Sequence, residues 1–324
     1  KDSLGEIYVP NTALYGAQTQ RAVNNFPISG IKMDFPFTNS FVDALGLIKD
    51  AAARANKSLG LLSSKKANAI SKAAKEVWQS KHNLHFPIDV FQTGSGTSSN
   101  MNANEVIANL ASKASKQKVD PNDDVNMSQS SNDVIPTAIK LSAHMDLTKK
   151  LLPSLDKLIA TIDKKALSLK NMIKTGRTHL MDAMPVDFSQ ELSAWSAQLK
   201  NSRKTLFFME ARLLEMPLGG TAVGTGINAH PRFAKLFAKE LSNLSGAKYK
   251  FVASENFFHE LSAQDTAVQF SGELKNLAIV LMKISNDLRW MNSGPLSGLS
   301  EIELQALQPG SSIMPGKVNP VIPE

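Results

Sequence analysis

The sequence has no cysteine at all, and its 324 residues include only three Trp and three Tyr. Without thiols the chain forms no disulfide and offers no thiolate to zinc, to an iron–sulfur cluster or to nucleophilic catalysis. It also lacks any run close to the roughly 18 consecutive apolar residues that a membrane-spanning helix needs. These absences exclude thiol chemistry, predict a globular chain without a membrane segment, and fit a reducing compartment.

Charge of one sign is not concentrated anywhere in the chain. Lys and Arg number 36 against 29 Asp and Glu, which gives a net charge of +7, and a basic balance is one mark of nucleic-acid binding. The lysines, however, are spread over predicted helix faces among acidic residues, and few aromatic rings are available to stack on bases. We therefore expect no nucleic-acid partner and a surface that mildly attracts small anions.

Helical periodicity dominates the sequence. Apolar residues recur at a spacing of three and four, which predicts helices over residues 41–57, 64–79, 133–170, 190–214, 231–244 and 260–291, and another from about residue 105. Pro153 is expected to kink the 133–170 helix rather than end it.

At 1.5 Å per residue, the three longest predicted helices extend about 40–55 Å. Helices of this length bury their apolar stripes against one another or against other subunits. We therefore predict a mainly α fold, an elongated bundle of long helices. Strands are expected only near residues 7–9 and 248–252.

Glycines cluster in three polar loops, at residues 94–96, 219–226 and 294–316, each between predicted helices. A single loop of this kind is an ordinary linker. Several loops that carry hydroxyls and amides but few charges favour donors gathered around an anion. The 219–226 loop lacks the preceding strand of a dinucleotide fingerprint, and we interpret it as a tight inter-helix turn or a lid.

Two segments, residues 92–102 and 121–133, place hydroxyl and amide groups before a predicted helix. Backbone N–H groups at a helix start form a cradle for a carboxylate or a phosphate, and N-capping explains one such polar residue but not six. The second segment is not a calcium loop, because it lacks the alternating ligands, the central Gly and the closing Glu. The candidate anion-binding residues are Ser95, Thr97, Ser130, Ser131 and Asn132.

A third segment, residues 176–185 (GRTHLMDAMP), places His179 in a turn bounded by Gly and Pro. A lone histidine is more often structural, but an imidazole in a turn between two long helices can reach a cleft and act as a base near neutral pH. His82 and His85 lie three residues apart with no further ligand nearby, so we expect a surface pair there rather than a metal site.

The fourth segment, residues 308–320, reads QPGSSIMPGKVNP and almost imitates a phosphate-binding P-loop. Its glycine spacing is wrong, and Val318 follows Lys317 where the P-loop has Ser or Thr to bind magnesium. We therefore reject a nucleotide site. What remains is a Gly/Pro loop that presents Ser311, Lys317 and Asn319, in which Lys317 would stabilise extra negative charge on a bound carboxylate.

Residues 310–320 match the signature of the fumarase/aspartase superfamily, and the sequence resembles class II fumarases in particular. The other three segments match in order and at family-like spacing, as do residues 15–21 (YGAQTQR), so the similarity covers the whole chain. Aspartases typically have Gln at the position of His179. His179 and residues 94–97 (GSGT) therefore point to the fumarases.

The resemblance implies the reversible addition of water to fumarate, giving L-malate, without a metal or an organic cofactor. It assigns proton abstraction to Ser311, activated by loop N–H groups and Lys317. It implies that His179 acts on the water at the opposite face of the substrate, and that Glu324 orients the His179 imidazole. Lys317 and Asn319 would hold the carboxylate that gains charge. The other substrate-binding residues that the resemblance implies are Ser95, Thr97, Ser130, Ser131, Asn132 and Thr178.

The resemblance also implies a homotetramer in which three subunits contribute to each active site. The implied domains are a smaller, mostly helical N-terminal domain (residues 1–130) and a long-helix bundle domain (residues 131–324). Family chains are longer, so we expect the last bundle helix and the small C-terminal domain to be missing. The implied compartment is the cytoplasm, or the mitochondrial matrix in a eukaryote.

The family carries a second dicarboxylate site, which in this chain would involve Asn122 and Asp123. We expect it to bind weakly or not at all. Asp120 stands where the family usually has a histidine, and Gln117 aligns with an expected basic residue. An acid in place of a histidine repels a dianion.

Two alternatives to a fumarase stay open. The first is aspartate ammonia-lyase or another lyase that releases fumarate, because the same scaffold serves these reactions and His179 is the main distinction. The second is a catalytically inactive, crystallin-like helical scaffold. The combination of Ser311, Lys317, Asn319 and His179 argues against a scaffold, since a purely structural role does not need these residues together.

Overall fold

The computed structural model describes residues 2–33, 38–246 and 248–324. Its helices are α1 (Ala17–Asn25), α2 (Ser40–Ser58), α3 (Ser64–Trp78), α4 (Thr97–Ser115), α5 (Ser131–Asp146), α6 (Leu152–Ser168), α7 (Phe188–Leu213), α8 (Phe233–Leu244), α9 (Phe257–Ser262) and α10 (Asp265–Met291). Its strands are β1 (Ile173–Thr178), β2 (Met181–Asp187), β3 (Glu215–Met216) and β4 (Val252–Ala253). The prediction of a mainly α fold with long helices is confirmed.

The predicted helices differ from the observed ones at three places. Helices α5 and α6 are joined by a π-helical turn at Leu147–Leu151, so the chain remains helical through Pro153. The predicted 260–291 helix is interrupted, since α9 ends at Ser262 and α10 begins at Asp265. The helix predicted from about residue 105 begins at Thr97, because its first turns are made of buried Ser and Asn residues that do not show apolar periodicity.

The strand predictions were largely wrong. Residues 7–9 form no strand, and of residues 248–252 only Val252 does, in β4, which pairs in parallel with β3. The segment around residues 176–185 was predicted as a turn between helices, but it folds as the antiparallel hairpin β1–β2. Most side chains of this hairpin are exposed, so the sequence shows no alternation of apolar and polar residues from which to infer it.

Contacts divide the chain into two compact units. Unit 1 comprises Lys1–Lys149 and Glu210–Ala267, and unit 2 comprises Lys150–Met209 and Val268–Glu324. These units do not coincide with the predicted division at residue 130, which stays a prediction. Among the described residues, none of the helices combines the length and the apolar character required to cross a membrane.

The core of unit 1 is built around α2, which is buried on nearly every side. Its many alanines let α3, α5 and α8 pack against it. Leu45 and Ile48 are among its fully buried side chains, and so is the ammonium-bearing chain of Lys49. A helix buried all round normally carries no charge, so Lys49 needs its own partners.

Gly46 marks a close approach of α2 to α3. A Cβ atom at this position would lie 2.8 Å from the backbone N of Trp78 and 3.0 Å from the backbone O of Ala74. We expect Gly46→Ala to lower the free energy of unfolding by about 2 kcal/mol, because overpacking against backbone outweighs the roughly 1 kcal/mol gain in helix propensity.

Gly272, in α10, provides the matched control, since a Cβ atom there meets no atom within 4 Å. Gly272→Ala should raise the free energy of unfolding by up to about 1 kcal/mol. Denaturant-induced unfolding measures both variants, and a Gly46→Ala protein as stable as wild type would contradict the close approach.

The segment that follows Leu14 is fixed by one carboxylate. Glu105, on α4, accepts hydrogen bonds from the backbone N of Gly16 (2.9 Å), Gln18 (2.9 Å) and Thr19 (3.1 Å) and from the Thr19 hydroxyl (2.6 Å). The carboxylate thus satisfies the otherwise unpaired N–H groups at the start of α1. The YGAQTQR segment is therefore anchored to α4 by a charged side chain.

Unit 2 contains α6, most of α7 and most of α10, together with the β1–β2 hairpin. Buried apolar side chains of the three helices include Leu155, Ile159, Leu199 and Ile284. The indole N–H of Trp195 donates to Asp287 Oδ2 at 2.9 Å and joins α7 to α10. These helices support the hairpin and the 310–320 loop, which carry the candidate catalytic residues of this unit.

Candidate active site

Ser95 and Thr97 lie at the start of α4, with their hydroxyl oxygens 2.9 Å apart. Gly96 between them has φ of 67°, a left-handed conformation that favours glycine. The backbone N of Ser98 donates to Thr93 Oγ1 and that of Ser99 to Gln92 Oε1. These helix N–H groups are therefore already paired, and the two hydroxyls are what this turn presents to an anion.

Other polar residues of the same segment serve the interior instead. Gln92 and Ser99 bond each other twice, and Asn102 Nδ2 donates to the carbonyl of His85 at 2.9 Å. Asn100 is fully buried and contacts Lys49 and Ser131. The surplus of polar residues that suggested an anion cradle is thus partly explained by internal hydrogen bonds.

Residues 130–132 form the start of α5. Ser130 caps the helix in a capping box with Asp133, Ser131 Oγ accepts from Asn100 Nδ2 at 3.1 Å, and Asn132 Nδ2 donates to the carbonyl of Ala222 at 2.8 Å. Ser131 is half-buried and Asn132 is exposed. Capping accounts for Ser130, whereas Ser131 contacts Asn100 and Asn132 contacts the 219–226 turn.

Ser95 and Asn132 line one cavity of about 500 Å³ in unit 1. Its wall also includes apolar side chains of α5 and α9 and the 219–226 turn, among them Ile135, Ile139, Val223, Phe258 and Leu261. The structure therefore brings together two residues from separate predicted segments. A few polar groups on a largely apolar wall are typical of a small-molecule site.

The 219–226 turn is tied to α5 by Asp133. The buried carboxylate accepts from the backbone N of Gly219 (3.0 Å), Thr221 (2.8 Å) and Ser130 (2.9 Å). Burial raises the pKa of Asp133 to about 6, against the opposing effect of these hydrogen bonds and of the Lys49 charge. The turn forms one wall of the cavity, and its interpretation as a tight inter-helix turn or a lid stays a prediction.

At the second dicarboxylate site that the resemblance suggested, a carboxylate of the chain itself binds the backbone N–H groups. The Asp120 carboxylate accepts from the backbone N of Asn122 (2.8 Å) and Asp123 (3.1 Å). The next acid, Asp124, pairs with Lys66 at 2.7 Å. Because the Asp120 carboxylate takes the N–H groups that an external anion would use, weak or absent binding at this place stays our prediction.

His179 lies at the tip of the β1–β2 hairpin in unit 2. His179 and Leu180 form the two-residue turn, with φ of 53° and 63°, and Thr178 pairs with Met181 across it. Two successive left-handed residues are the geometry of a type I′ hairpin turn, which usually selects Asn and Gly. The turn holds the imidazole exposed, beside the exposed Thr178.

A cluster of four charged residues anchors this hairpin along strand β1. Lys174 Nζ lies 2.5 Å from Glu191 and 2.7 Å from Glu301, and Arg177 pairs with the same Glu301. Burial raises the pKa of Glu301, but hydrogen bonds from Lys174 and Arg177 outweigh it and hold the pKa below its usual value. The hairpin that carries His179 is thereby joined to the chain that leads from α10 to Ser311.

Ser311 is half-buried in a compact loop. Its Oγ accepts from the backbone N of Ile313 and of Met314, each at 3.3 Å. The loop is closed by a bond of 2.7 Å from Gly310 N to the carbonyl of Lys317. Two N–H donors that point at one hydroxyl oxygen stabilise its deprotonated form, so this hydroxyl loses its proton more readily than that of a free serine.

Lys317, Asn319 and Glu324 line a cavity of about 650 Å³ with residues at the end of α10, including Arg289 and Trp290. Asn319 Nδ2 donates to Glu324 Oε2 at 3.3 Å. In this chain Glu324 therefore contacts Asn319, and its predicted pairing with His179 stays a prediction. Two cations and an amide around one cavity suit a carboxylate.

Over residues 5–324 the chain matches a protein family described as lyase. The chain belongs to this lyase family. A class II fumarate hydratase of Pseudomonas aeruginosa is 57% identical over 324 residues, a match that covers 100% of this chain and 69% of that protein. A class II fumarate hydratase of Xylella fastidiosa is 56% identical over 323 residues and is covered to 67%. The chain thus spans about two thirds of the length of these relatives.

Solved structures agree with this lyase assignment. A class II fumarase from Schistosoma mansoni matches with a TM-score of 0.95 and 41% identity, over 100% of this chain and 71% of that one. A fumarate lyase:delta crystallin from Brucella melitensis, in native form, matches with a TM-score of 0.91 and 43% identity, over 100% of this chain and 74% of that one. The resemblance to class II fumarases is confirmed, and the chain is a lyase by family.

Sequence reasoning missed three groups of this lyase that support the candidate residues. The first is Lys49, which contacts Asn100; the second is the Asp133 carboxylate; and the third is Glu301, which pairs with Lys174 and Arg177 of the hairpin. One signal was available for Lys49, since a lysine within an alanine-rich helix that is buried on all sides needs polar partners. Nothing near Glu301 in the sequence marks its contact with residues more than a hundred positions earlier.

Proposed function

We propose that the protein catalyses the reversible addition of water to fumarate, giving L-malate. The observation that carries this proposal is the Ser311 loop, in which a serine hydroxyl accepts two backbone N–H donors. A serine needs such help to act as a base. The names of the relatives at 56% and 57% identity support the same reaction.

In the malate-to-fumarate direction, Ser311 removes a proton from C3 of malate. The two N–H groups stabilise the alkoxide that accepts this proton, and the electron pair left on the substrate moves into the neighbouring carboxylate. Lys317 and Asn319, on the same loop, hold the carboxylate while it carries the extra charge. Hydroxide then leaves from C2, and the double bond of fumarate forms.

His179 donates a proton to the departing hydroxide on the opposite face, and Glu324 orients the imidazole. Ser95, Thr97, Ser130, Ser131, Asn132 and Thr178 bind the remaining substrate oxygens. The complete site belongs to a homotetramer in which three subunits contribute these segments. Such a site does not require His179 and Glu324 to meet within one chain. As the family resemblance implies, the reaction uses no metal or organic cofactor.

The proposal is tested by the far-ultraviolet absorbance of the conjugated double bond of fumarate. L-Malate and L-aspartate are added separately to the purified protein. We expect the absorbance to rise with malate and not with aspartate, because His179 stands where aspartases have Gln.

A rise with aspartate alone would instead favour an ammonia-lyase. No rise with either substrate would contradict the proposal and favour the inactive scaffold. Denatured protein under the same conditions controls for absorbance changes that do not come from turnover.

A further inference from the structure

Lys49 is held in a cage of amide oxygens inside unit 1. Its side chain is fully buried, and Nζ donates to Asn100 Oδ1 at 2.8 Å, to Asn126 Oδ1 at 3.0 Å and to Gln129 Oε1 at 2.9 Å. An ammonium has three protons and no acceptor. Each of the three carboxamides must therefore turn its oxygen, and not its nitrogen, towards Lys49.

This constraint decides the orientation of Asn100. With Oδ1 bound to Lys49, Nδ2 donates to Ser131 Oγ at 3.1 Å and to Asn126 Oδ1 at 3.2 Å. The Ser131 hydroxyl is thereby an acceptor on its Asn100 side. Its own proton is left to be donated elsewhere, as a group that binds a carboxylate oxygen requires.

We propose that Lys49 is a positioning residue for the substrate-binding hydroxyl of Ser131 and acts through the Asn100 carboxamide. The proposal rests on the proposed function, in which Ser131 binds substrate. Without the ammonium, Asn100 Oδ1 loses its partner, and only the hydrogen bond from Nδ2 to Asn126 Oδ1 opposes a rotation that would present Oδ1 to Ser131. The hydroxyl would then donate inwards, and the substrate would lose one donor.

A purely structural role explains the cage poorly. Apolar side chains at all four positions, Lys49 and its three carboxamide partners, would fill the same space without the cost of removing an ammonium from water. Asn104 gives the matched comparison. It lies one turn along α4 from Asn100, is fully buried, and donates to the same Asn126 Oδ1 at 3.2 Å. No hydrogen bond joins Asn104 to Lys49 or to Ser131 within the described part of the chain.

The test measures kcat and KM for L-malate at pH 6, below the pKa of about 7 at which Lys49 loses its proton. The variants are Lys49→Met, Asn100→Ala and Asn104→Ala, each also combined with Ser131→Ala. We expect Lys49→Met and Asn100→Ala to raise KM about tenfold, the value of roughly one hydrogen bond, with kcat within about twofold of wild type. Asn104→Ala should leave KM within about twofold. In the Ser131→Ala background, the first two substitutions should have no further effect on KM, because the residue through which they act is absent.

Three results would overturn the inference: equal effects on KM with and without Ser131, an unchanged KM in Asn100→Ala, or a KM in Asn104→Ala as high as in Asn100→Ala. If the wild-type protein is active on malate, the proposed function still stands in each of these cases. A wild-type protein inactive on malate would remove both. If Lys49→Met does not fold, Asn100→Asp keeps a partner for Lys49 but deletes the donor to Ser131, with Asn104→Asp as the control for added charge. The same tenfold difference in KM is expected between these two variants.

Discussion

Replacing Ser311 with alanine is expected to lower kcat for L-malate dehydration about a thousandfold, within the range that a positioned general base contributes. The variant keeps the 310–320 loop closed, because the bond from Gly310 N to the Lys317 carbonyl does not involve the serine side chain. In the proposed mechanism, Lys317 and Asn319 would therefore still bind the substrate carboxylate. The effect should fall on kcat and leave KM nearly unchanged, measured by the absorbance of fumarate.

Ser312 is the matched control for this substitution, since it is the next residue of the same loop and is exposed. Ser312→Ala should retain turnover within about twofold of wild type, because the proposed mechanism requires a single base and assigns it to Ser311. If Ser311→Ala kept more than a tenth of wild-type kcat, or if Ser312→Ala lost as much as Ser311→Ala, the assignment of the base would be wrong.

Stability should rise steeply with pH above neutrality because of Lys49. Burial lowers the pKa of Lys49 to about 7 from its usual 10.5, against the opposing effect of the Asp133 charge. Between these two values the unfolded chain binds a proton that the folded chain does not. The free energy of unfolding therefore rises with pH, by about 1.4 kcal/mol per pH unit from this one group.

Over the full interval the Lys49 contribution amounts to roughly 5 kcal/mol, fully present above pH 10.5 and lost as the pH falls to about 7. Lys49→Met removes the titrating group. The unfolding free energy of this variant should therefore rise with pH less steeply than that of wild type, by about 1.4 kcal/mol per pH unit. Denaturant unfolding of both proteins at pH 7, 8 and 9 measures the two slopes. Parallel slopes would show that Lys49 keeps its proton in the folded chain.

The long helices were predictable because each buries a stripe of apolar residues. Residues 41–57 and 64–79 correspond closely to α2 and α3 for that reason. The start of α4 was not predictable, since Asn100, Asn102 and Asn104 are buried there and their polarity conceals the helical face. The β1–β2 hairpin was not predicted, because its mostly exposed strands show no alternation of apolar and polar residues.

The candidate site was predictable to the extent that its residues stand in unusual local sequence. Ser95, His179 and Ser311 all lie among glycines and hydroxyl residues, which mark tight polar loops. Lys49 and Glu301 act through partners distant in sequence. The Lys49 cage draws on residues 51 to 80 positions away, and such contacts arise only once the chain has folded.

The anchoring of α1 by Glu105 bears on the order in which the chain folds. The hydrogen bonds to Gly16, Gln18 and Thr19 span 86 to 89 residues, so they close a large loop, whose entropic cost must be met before they form. Helix α1 has only nine residues and is too short to persist alone in water. We therefore expect α1 to form only after α4, so that residues 17–25 are among the last to reach their native conformation.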